Sequence, residues 1–266
     1  MIGKYFPAFI VCLWAVFALF GSFMGLSPDA IDLSKILHGP DMHSLLGYDD
    51  LGRPILDRLI MGAQTSFIVA LWVTLISLCI GTFIGAASAY FGGWLDLFVV
   101  RIIDVFLAVP GILLAIAFAG IMGPGIENVV IALSIVGWVG FARLARAQVM
   151  ALKHRDHVQA AVSLGTSSLV IIRRHLLPLI SAPLIVEATF SIAGVVIAEA
   201  GLSFLGLGVQ PPAASWGSMI RDGTAYMLVA PHMVISPGVA MILIVLSVNL
   251  LGDRLRDVLD VRGRKR

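Results

Sequence analysis

Six long stretches of the chain are rich in apolar residues and poor in charged ones, and this feature restricts the fold more than any other. The hydrocarbon core of a bilayer is about 30 Å thick, so about twenty residues of apolar helix cross it. Lipid offers no partner to backbone N–H and C=O groups, so such stretches form helices with internal hydrogen bonds. The sequence therefore predicts an all-α integral membrane protein with six transmembrane helices. The predicted spans are residues 5–26, 66–91, 102–122, 126–141, 179–201 and 233–252.

The composition agrees with a membrane protein and gives no sign of a second domain. Hydrophobic residues make up 59% of the chain and charged residues 13%. An ordinary globular domain is less apolar and about a quarter of its residues are charged. We therefore expect residues 1–266 to form a single transmembrane domain in the lipid bilayer.

Lysine and arginine residues are distributed unevenly between the predicted loops, and this indicates an orientation. An even number of spans places both termini on one side of the membrane. Fourteen of the eighteen Lys and Arg residues then lie on that side, and only Lys35, Arg53, Arg58 and Arg221 lie on the other. Because cytoplasmic loops carry the excess of positive charge, both termini are predicted to be cytoplasmic. The same rule accounts for the terminal cluster RGRKR without a nucleic-acid partner.

A short polar segment, DHVQAAVSLG at residues 156–165, lies between basic residues on the predicted cytoplasmic side. Asp156 is placed to cap a helix, with Gln159 three residues later as in a capping box. Gly165 supplies a left-handed residue that ends the helix. A helix of about two turns is too short to be stable alone. Since Ala160 and Ala161 allow a close approach, we interpret the segment as a docking element for another protein.

The same loop carries a family resemblance. The loop contains Gln159-Ala160-Ala161, then Gly165, and then Pro178 at the end of HLLP. This pattern resembles the EAA loop of permease subunits of ATP-binding cassette (ABC) importers. That family usually has Glu at the position of Gln159. The family's loop forms a coupling helix that seats in a cleft of the ATPase subunit. The resemblance thus implies a cytoplasmic coupling loop over residues 143–178. The implied ATPase-coupling residues are Asp156, Gln159, Ala160, Ala161, Gly165 and Pro178.

Two further segments narrow the resemblance to one branch. The signatures of the dipeptide, oligopeptide and nickel permease family resemble two segments of this chain, LGYDDLGRPILDRLIMGAQTSF at 46–67 and EAGLSFLGLGVQPPAASWGSMI at 199–220. The ending of that family's sequences resembles NLLGDRLRDVLD at 249–260. This implies a permease subunit in a bacterial inner membrane that moves di- or oligopeptides, with nickel or metallophore import as the alternative. The implied partners are a second homologous permease, two cytoplasmic ABC ATPase subunits and an extracytoplasmic substrate-binding protein.

The energy source is predicted to lie on another chain. The sequence has no phosphate-binding loop of the form GxxxxGK[ST], since its only Gly-Lys pair is Gly3-Lys4. We therefore expect a non-catalytic transport subunit with no cofactor of its own, and ATP and Mg²⁺ on the partner ATPase subunits.

Carboxylates and Pro-Gly pairs inside the spans are candidates for a gate or a substrate path. An ionisable side chain within a membrane is costly unless it faces water or a partner. The Pro-Gly pairs at Pro110 and Pro237 are predicted to interrupt spans three and six, and broken helices often line a path. Packing is the alternative, because Gly and Pro are common in membrane helices. The candidate gate or path residues are Pro110, Glu187, Glu199 and Pro237.

Charged residues of the predicted outer loops are candidate contacts for the binding protein, with simple solvation as the alternative. His38, Asp41 and His43 in HGPDMH are of types that bind Ni²⁺. Such residues in an exposed loop are more often solvated, and we predict no metal site. The candidate binding-protein contacts are Asp49, Asp50, Arg53, Arg58 and Arg221.

Two other classes of protein compete with an ATP-driven importer. A secondary transporter driven by an ion gradient would leave the 156–165 helix without a role. An intramembrane serine protease would use Ser203, in GLSF, and His232. The full nucleophile motif GxSxG fails at Leu205, and His232 is predicted at the membrane edge. We therefore expect neither.

Overall fold

The computed structural model of the protein describes residues 2–42 and 44–259, with side chains described from residue 5 onward. These residues form helices and loops, and their only β-bridge joins Tyr48 and Pro54. A π-helical turn, Ile172–Leu176, connects α7 to α8. The α-helices are α1 Ile2–Phe20, α2 Ile55–Phe91, α3 Gly93–Leu107, α4 Gly111–Met122, α5 Ile126–Leu152, α6 Asp156–Ser163, α7 Ser168–Ile171, α8 Leu177–Phe204, α9 Trp216–Thr224 and α10 His232–Leu259.

Five helical stretches within the described residues are long and apolar enough to cross a membrane. They are α1, α2, α5, α8 together with the turns that precede it, and α10. The helices α3 and α4 together are apolar enough to supply a sixth span, but they are bent by 87° relative to each other. The described chain thus has five spans, or six if the bent pair counts as one.

The third predicted span, 102–122, is interrupted at its Pro-Gly pair, as the sequence predicts. The structure places the break at Pro110, which is the N-cap residue of α4. Proline has no backbone N–H and disfavours a helical conformation in the residue before it, so α3 ends a few residues earlier. Pro237 does not act in this way: α10 is continuous through it, and its predicted interruption of span six is wrong.

Several helices extend beyond the predicted spans. The helix α2 begins at Ile55, α5 continues past Arg143 and Arg146 to Leu152, and α10 continues to Leu259. A helix does not have to end where lipid ends, because its charged side chains are solvated once they leave the hydrocarbon region. Hydropathy therefore marks the part of a helix that lies in lipid and not the helix ends.

The helices α2 and α5 share the most extensive contact of any helix pair among the described residues. Gly81 and Gly85, one turn apart on α2, lie directly against the backbone of α5 at Trp138 and Ala142. A Cβ atom on Gly85 would overlap the carbonyl group of Ala142. Small residues at this spacing allow membrane helices to approach each other closely, as their sequence pattern predicts.

Apart from residues 108–110, the connecting segments lie at two ends of the bundle. At one, here called the loop end, residues 24–54, 123–125 and 205–231 contact one another. There Gly125 N donates to Leu207 O at 3.2 Å, and His232 Nε2 donates to Tyr48 O at 3.2 Å. The other, here called the α6 end, contains residues 92–93 and 153–167. The chain therefore presents one large loop surface and one compact helical surface.

Candidate functional site

The short helix α6 exists, but it begins differently from the prediction. Its N-cap residue is Arg155, and no side chain caps it. Asp156 lies in the first turn, where a negative charge is favourable near the positive end of the helix dipole. The side-chain amide of Gln159 donates instead to Lys153 O at 2.9 Å. The predicted capping box of Asp156 and Gln159 is therefore wrong, because the helix begins one residue earlier, with Arg155 as its N-cap, and the Gln159 amide group bonds to the preceding turn.

The end of α6 follows the prediction. Gly165 has φ +76°, in the left-handed region. Its N–H donates to Val162 O at 2.9 Å, and Thr166 N donates to Ala161 O at 3.1 Å. This pair of hydrogen bonds is a Schellman motif, which satisfies the last carbonyl groups of the helix. A side chain at Gly165 would meet open space, so only the backbone conformation restricts this position.

One face of α6 packs against its own chain and the other is exposed. Val158 and Ala161 are buried in a cluster with Val149 and Leu152 of α5 and with Ile171 of α7. This corrects the prediction that both alanines form a docking surface, since Ala161 points inward. The predicted coupling residues that are exposed are Asp156, Gln159, Ala160, Gly165 and Pro178, beside apolar Val162 and Leu164.

An ion pair and a hydrogen bond hold the surrounding helices together at the α6 end. Arg146 of α5 donates two hydrogen bonds to the carboxylate of Asp96 of α3, each 2.7 Å long. Lys153 Nζ, just after α5, donates to Ala89 O of α2 at 2.8 Å. The anchored face of α6 thus contacts a region in which α2, α3 and α5 are already connected.

Two cavities of about 800 and 340 Å³ adjoin along α8 and share Glu187 and Phe190. We call them together the central groove. The larger cavity is lined by α5, α8 and α10, with Arg155 near its α6 end, and the smaller by α4, α5 and α8. The lining positions of α8 recur every three or four residues, so they form one stripe along the helix. The groove therefore extends from the α6 end towards the middle of the bundle.

The four candidate path residues do not come together. Glu187 lines both cavities, whereas Pro110 lies beside Gly111, which lines the smaller one. Pro237 is buried and lines neither cavity. Glu199 is only 1% exposed and accepts hydrogen bonds from Ser203 Oγ at 2.7 Å and Ser66 Oγ at 3.1 Å. Glu187 is thus the one ionisable candidate that faces the groove, and Glu199 joins α2 to α8.

The side chains proposed for a serine protease are also separated. Ser203 Oγ is bonded to Glu199, and His232 Nε2 is bonded to the carbonyl of Tyr48. A histidine engaged elsewhere cannot act as the base for this serine.

At the loop end, three of the five candidate binding-protein contacts are buried. Asp49 is 5% exposed and Arg58 is 4% exposed. The carboxylate of Asp49 accepts from Arg53 Nε at 2.7 Å, and Arg58 Nε lies 3.5 Å from it. Arg58 also donates to the carbonyl groups of Pro28 and Pro212. Asp49, Arg53 and Arg58 therefore hold the loops together, which corrects their prediction as exposed contacts.

The other two candidate contacts, Asp50 and Arg221, keep partly exposed side chains. They line a cavity of about 220 Å³ at the loop end. Partial burial, and then the neighbouring charge of Asp49, raises the pKa of the Asp50 carboxyl. Arg53 lies 3.7 Å away, a distance at which it attracts the carboxylate without a hydrogen bond.

The HGPDMH segment has local structural roles where the structure describes it. Asp41 accepts from Ser44 N at 2.6 Å, and His38 Nδ1 lies 3.3 Å from Gly39 O. His43 lies outside the described residues. The part of the chain that the structure describes contains no group of three potential metal ligands.

Comparisons with known proteins identify the family. The family model for the inner membrane component of binding-protein-dependent transport systems matches residues 77–265, a region that contains α6, the central groove and most of the helices. The chain belongs to this family. The predicted resemblance and the predicted role as a permease subunit of an importer are thereby confirmed.

Relatives of this permease share most of its length. It is 41% identical to the glutathione transport system permease protein GsiD of Escherichia coli O6:K15:H31. The match extends over 255 residues, which are 95% of this chain and 84% of that protein. It is 42% identical to GsiD of Pectobacterium atrosepticum, over 86% of this chain and 76% of that protein. A chain of the MetNI methionine ABC transporter in an inward-facing conformation has the same fold, with a TM-score of 0.63 and 18% identity over 77% of this chain and 98% of that chain.

The buried carboxylate of Asp49 leads to a first prediction about this permease. Replacing Asp49 with Ala should lower the free energy of unfolding by about 3 kcal/mol, because Arg53 and Arg58 would stay buried without their shared counter-ion. The matched control is Asp32→Ala in the same loop. Asp32 is about half exposed, pairs with partly exposed Lys35 and accepts a hydrogen bond as the cap of a short turn, so its loss should cost far less than that of Asp49. Thermal unfolding of the detergent-solubilised permease measures both, and equal midpoints for the two variants would contradict the assignment.

Several residues of the permease groove were not predicted from the sequence. Gln148, Phe190 and Arg256 line its larger cavity beside Arg155. A helical wheel of α8 would have indicated Phe190, because it lies one turn from Glu187 on the same face. Gln148 and Arg256 come from α5 and α10, and no sequence pattern links them to α8.

Proposed function

We propose that this chain is the permease subunit of an ATP-driven importer of di- or oligopeptides, and that the central groove forms its half of the substrate path. The observation that carries the proposal is the anchoring of α6, whose inner face packs with α5 and α7 while its outer face stays exposed. An exposed apolar patch on a short, anchored helix suits docking of a partner. The peptide class is supported by the relatives named for glutathione transport, since glutathione is itself a small peptide.

The alternative of nickel or metallophore import has less support. The described lining of the central groove contains one carboxylate, Glu187, and no His or Cys. A path for Ni²⁺ would favour imidazole ligands.

The proposed orientation places the α6 end in the cytoplasm of a bacterial cell and the loop end outside the inner membrane. The excess of Lys and Arg at the α6 end, counted over its loops and the adjoining helix ends, supports it. These residues include Arg143, Arg146, Lys153, Arg155, Arg173, Arg174 and Arg256. Of two ABC ATPase subunits, which bind ATP and Mg²⁺, one would dock on the exposed face of α6 and the other on the second permease. A second homologous permease would complete the path. An extracytoplasmic binding protein would deliver substrate at the loop end, where Asp50 and Arg221 are partly exposed. No cofactor is assigned to this chain.

The proposed mechanism follows from the packing of α6. ATP-driven closure of the ATPase pair moves the docked helix. Because Val158 and Ala161 are buried among residues of α5 and α7, the displacement passes to helices that line the groove. Rocking of these helices would open the groove alternately to the two sides of the membrane.

Reconstitution tests this function. The complete importer in proteoliposomes should accumulate Ala-Ala only when ATP is supplied to the ATPase side, and uptake should persist when an ionophore collapses ion gradients. Uptake that continues without ATP and stops with the ionophore would overturn the proposal.

Crosslinking tests the docking surface separately. A cysteine replacing the exposed Leu164 beside α6 should crosslink to an ATPase subunit. The control is Leu228→Cys at the loop end, which is equally suited to labelling because its side chain is 99% exposed. Crosslinking of the ATPase to the loop-end cysteine instead would contradict the orientation.

A further inference from the structure

The carboxylate of Glu187 faces the central groove without a partner. Among the described residues, no hydrogen bond or ion pair to this side chain is present, although it lies within the apolar helix α8. Gly140 of α5 lies beside this carboxylate and has no polar side chain to offer. An ionised side chain at membrane depth is retained at a cost, and it then serves an ion or a ligand. The structure therefore has an unused anionic group where a translocated molecule would pass.

The surroundings of Glu187 define which ligand suits it. Phe190, one turn away on α8, lines the same two cavities. A carboxylate and an aromatic ring together attract an ammonium group, the first by a charge-assisted hydrogen bond and the second through its π-electrons. The other charges of the groove are positive: Arg155 and Arg256 line the larger cavity near the α6 end. The groove is thus anionic in the middle and cationic at one end.

We propose that Glu187, together with Phe190, binds the free ammonium group of the substrate during translocation, while Arg155 and Arg256 attract its carboxylate. This inference rests on the proposed function and adds to it the chemistry of recognition: a small peptide with a free amino terminus. A peptide whose amino group is acylated carries no charge for Glu187 and is not held at this point.

A cysteine-protection assay on the assembled importer tests the proposal without depending on the selectivity of the binding protein. Ser191, one turn from Glu187, lines the smaller cavity and is replaced by Cys. The exposed native cysteines Cys12 and Cys79 are first replaced by Ala. Neutral methyl methanethiosulfonate labels the new thiol, and Ala-Ala should slow this labelling. In the Glu187→Gln variant, the protecting concentration should rise by about tenfold, as expected for loss of a charged hydrogen bond.

Three controls make the assay decisive. N-acetyl-Ala-Ala has no ammonium group for Glu187, so it should protect only at about tenfold higher concentration than Ala-Ala does with Glu187 present, and equally in both backgrounds. Glu187→Asp should keep most of the protection, since it preserves the charge. A Leu228→Cys reporter at the loop end should be labelled equally with and without peptide. Co-purification with the ATPase subunits checks folding, and Glu187→Gln should assemble normally because it removes an unpaired charge from the membrane.

The outcomes separate this inference from the proposed function. Suppose that the wild-type importer takes up Ala-Ala. If N-acetyl-Ala-Ala then protects the thiol of the Ser191→Cys reporter as well as Ala-Ala does, the inference fails and the proposed function stands. The same conclusion follows if Glu187→Gln leaves protection by Ala-Ala unchanged. If the wild-type importer with ATP does not take up Ala-Ala and the peptide does not protect the reporter, the peptide function fails and the inference fails with it.

Discussion

Replacing Gly85 with Ala is expected to destabilise the permease by about 3 kcal/mol, the upper part of the range for overpacking in a closely packed interior. The added methyl group would overlap the backbone carbonyl of Ala142 on α5. A backbone cannot rotate away as a flexible side chain can, so α2 and α5 would have to separate. Since these helices share the most extensive contact among the described helices, the loss should extend to the whole fold. Thermal unfolding in detergent and the yield of inserted protein measure it.

Gly120→Ala on α4 is the matched control for this substitution. It is the same change in another apolar helix, but its Cβ would meet nothing within 4 Å. Alanine is the better helix former, so this variant should be neutral or slightly more stable. Equal destabilisation by both variants would show that close contact at Gly85 is not the cause.

Replacing Gly165 with Glu should leave the permease inserted and assembled but reduce ATP-driven uptake by about tenfold or more. A side chain at φ +76° costs about 1–2 kcal/mol. This strain opposes the Schellman hydrogen bonds of Gly165 and Thr166, and the new negative charge lies next to the negative end of the helix dipole. The added side chain meets open space, so the damage should stay local to α6. Uptake and ATP hydrolysis, measured on the same proteoliposomes, should become uncoupled.

Asparagine at this position is the informative control, because Asn tolerates the left-handed conformation better than other non-glycine residues. Gly165→Asn should therefore retain most of the uptake. Normal uptake by the assembled Glu variant would remove α6 from the coupling mechanism.

Local features of the coupling segment could be predicted in part. The end of α6 at Gly165 was predicted because a left-handed glycine depends on its own backbone and on hydrogen bonds to the last turn of the same helix. The predicted capping box was wrong, because Arg155 is the N-cap of the helix and the Gln159 amide group donates to the carbonyl of Lys153, a partner that the capping pattern does not consider. The inward position of Ala161 depends on its contacts with Val149 and Ile171, which come from other helices.

In the candidate site, too, the sequence did not show which side chains are buried and which face the groove. Glu187 and Glu199 are the same residue type on one apolar helix, and the sequence offered both as path residues. Ser66, far away on α2, makes Glu199 part of the packing, while the cavities beside α5 leave Glu187 facing the groove. At the loop end, Arg58 is buried because the carbonyl groups of Pro28 and Pro212 meet there.

The amino-acid sequence alone determined that this chain lies in a membrane as a set of helices, and its motifs indicated the importer family. Both follow from properties that are local in the chain: apolar stretches of bilayer length and short runs of fixed residue types. Only the tertiary structure decided which ionisable side chains are buried and which face the groove. The physical reason is that the cost of a charge depends on its neighbours in space, and these neighbours come from helices that are distant in the sequence.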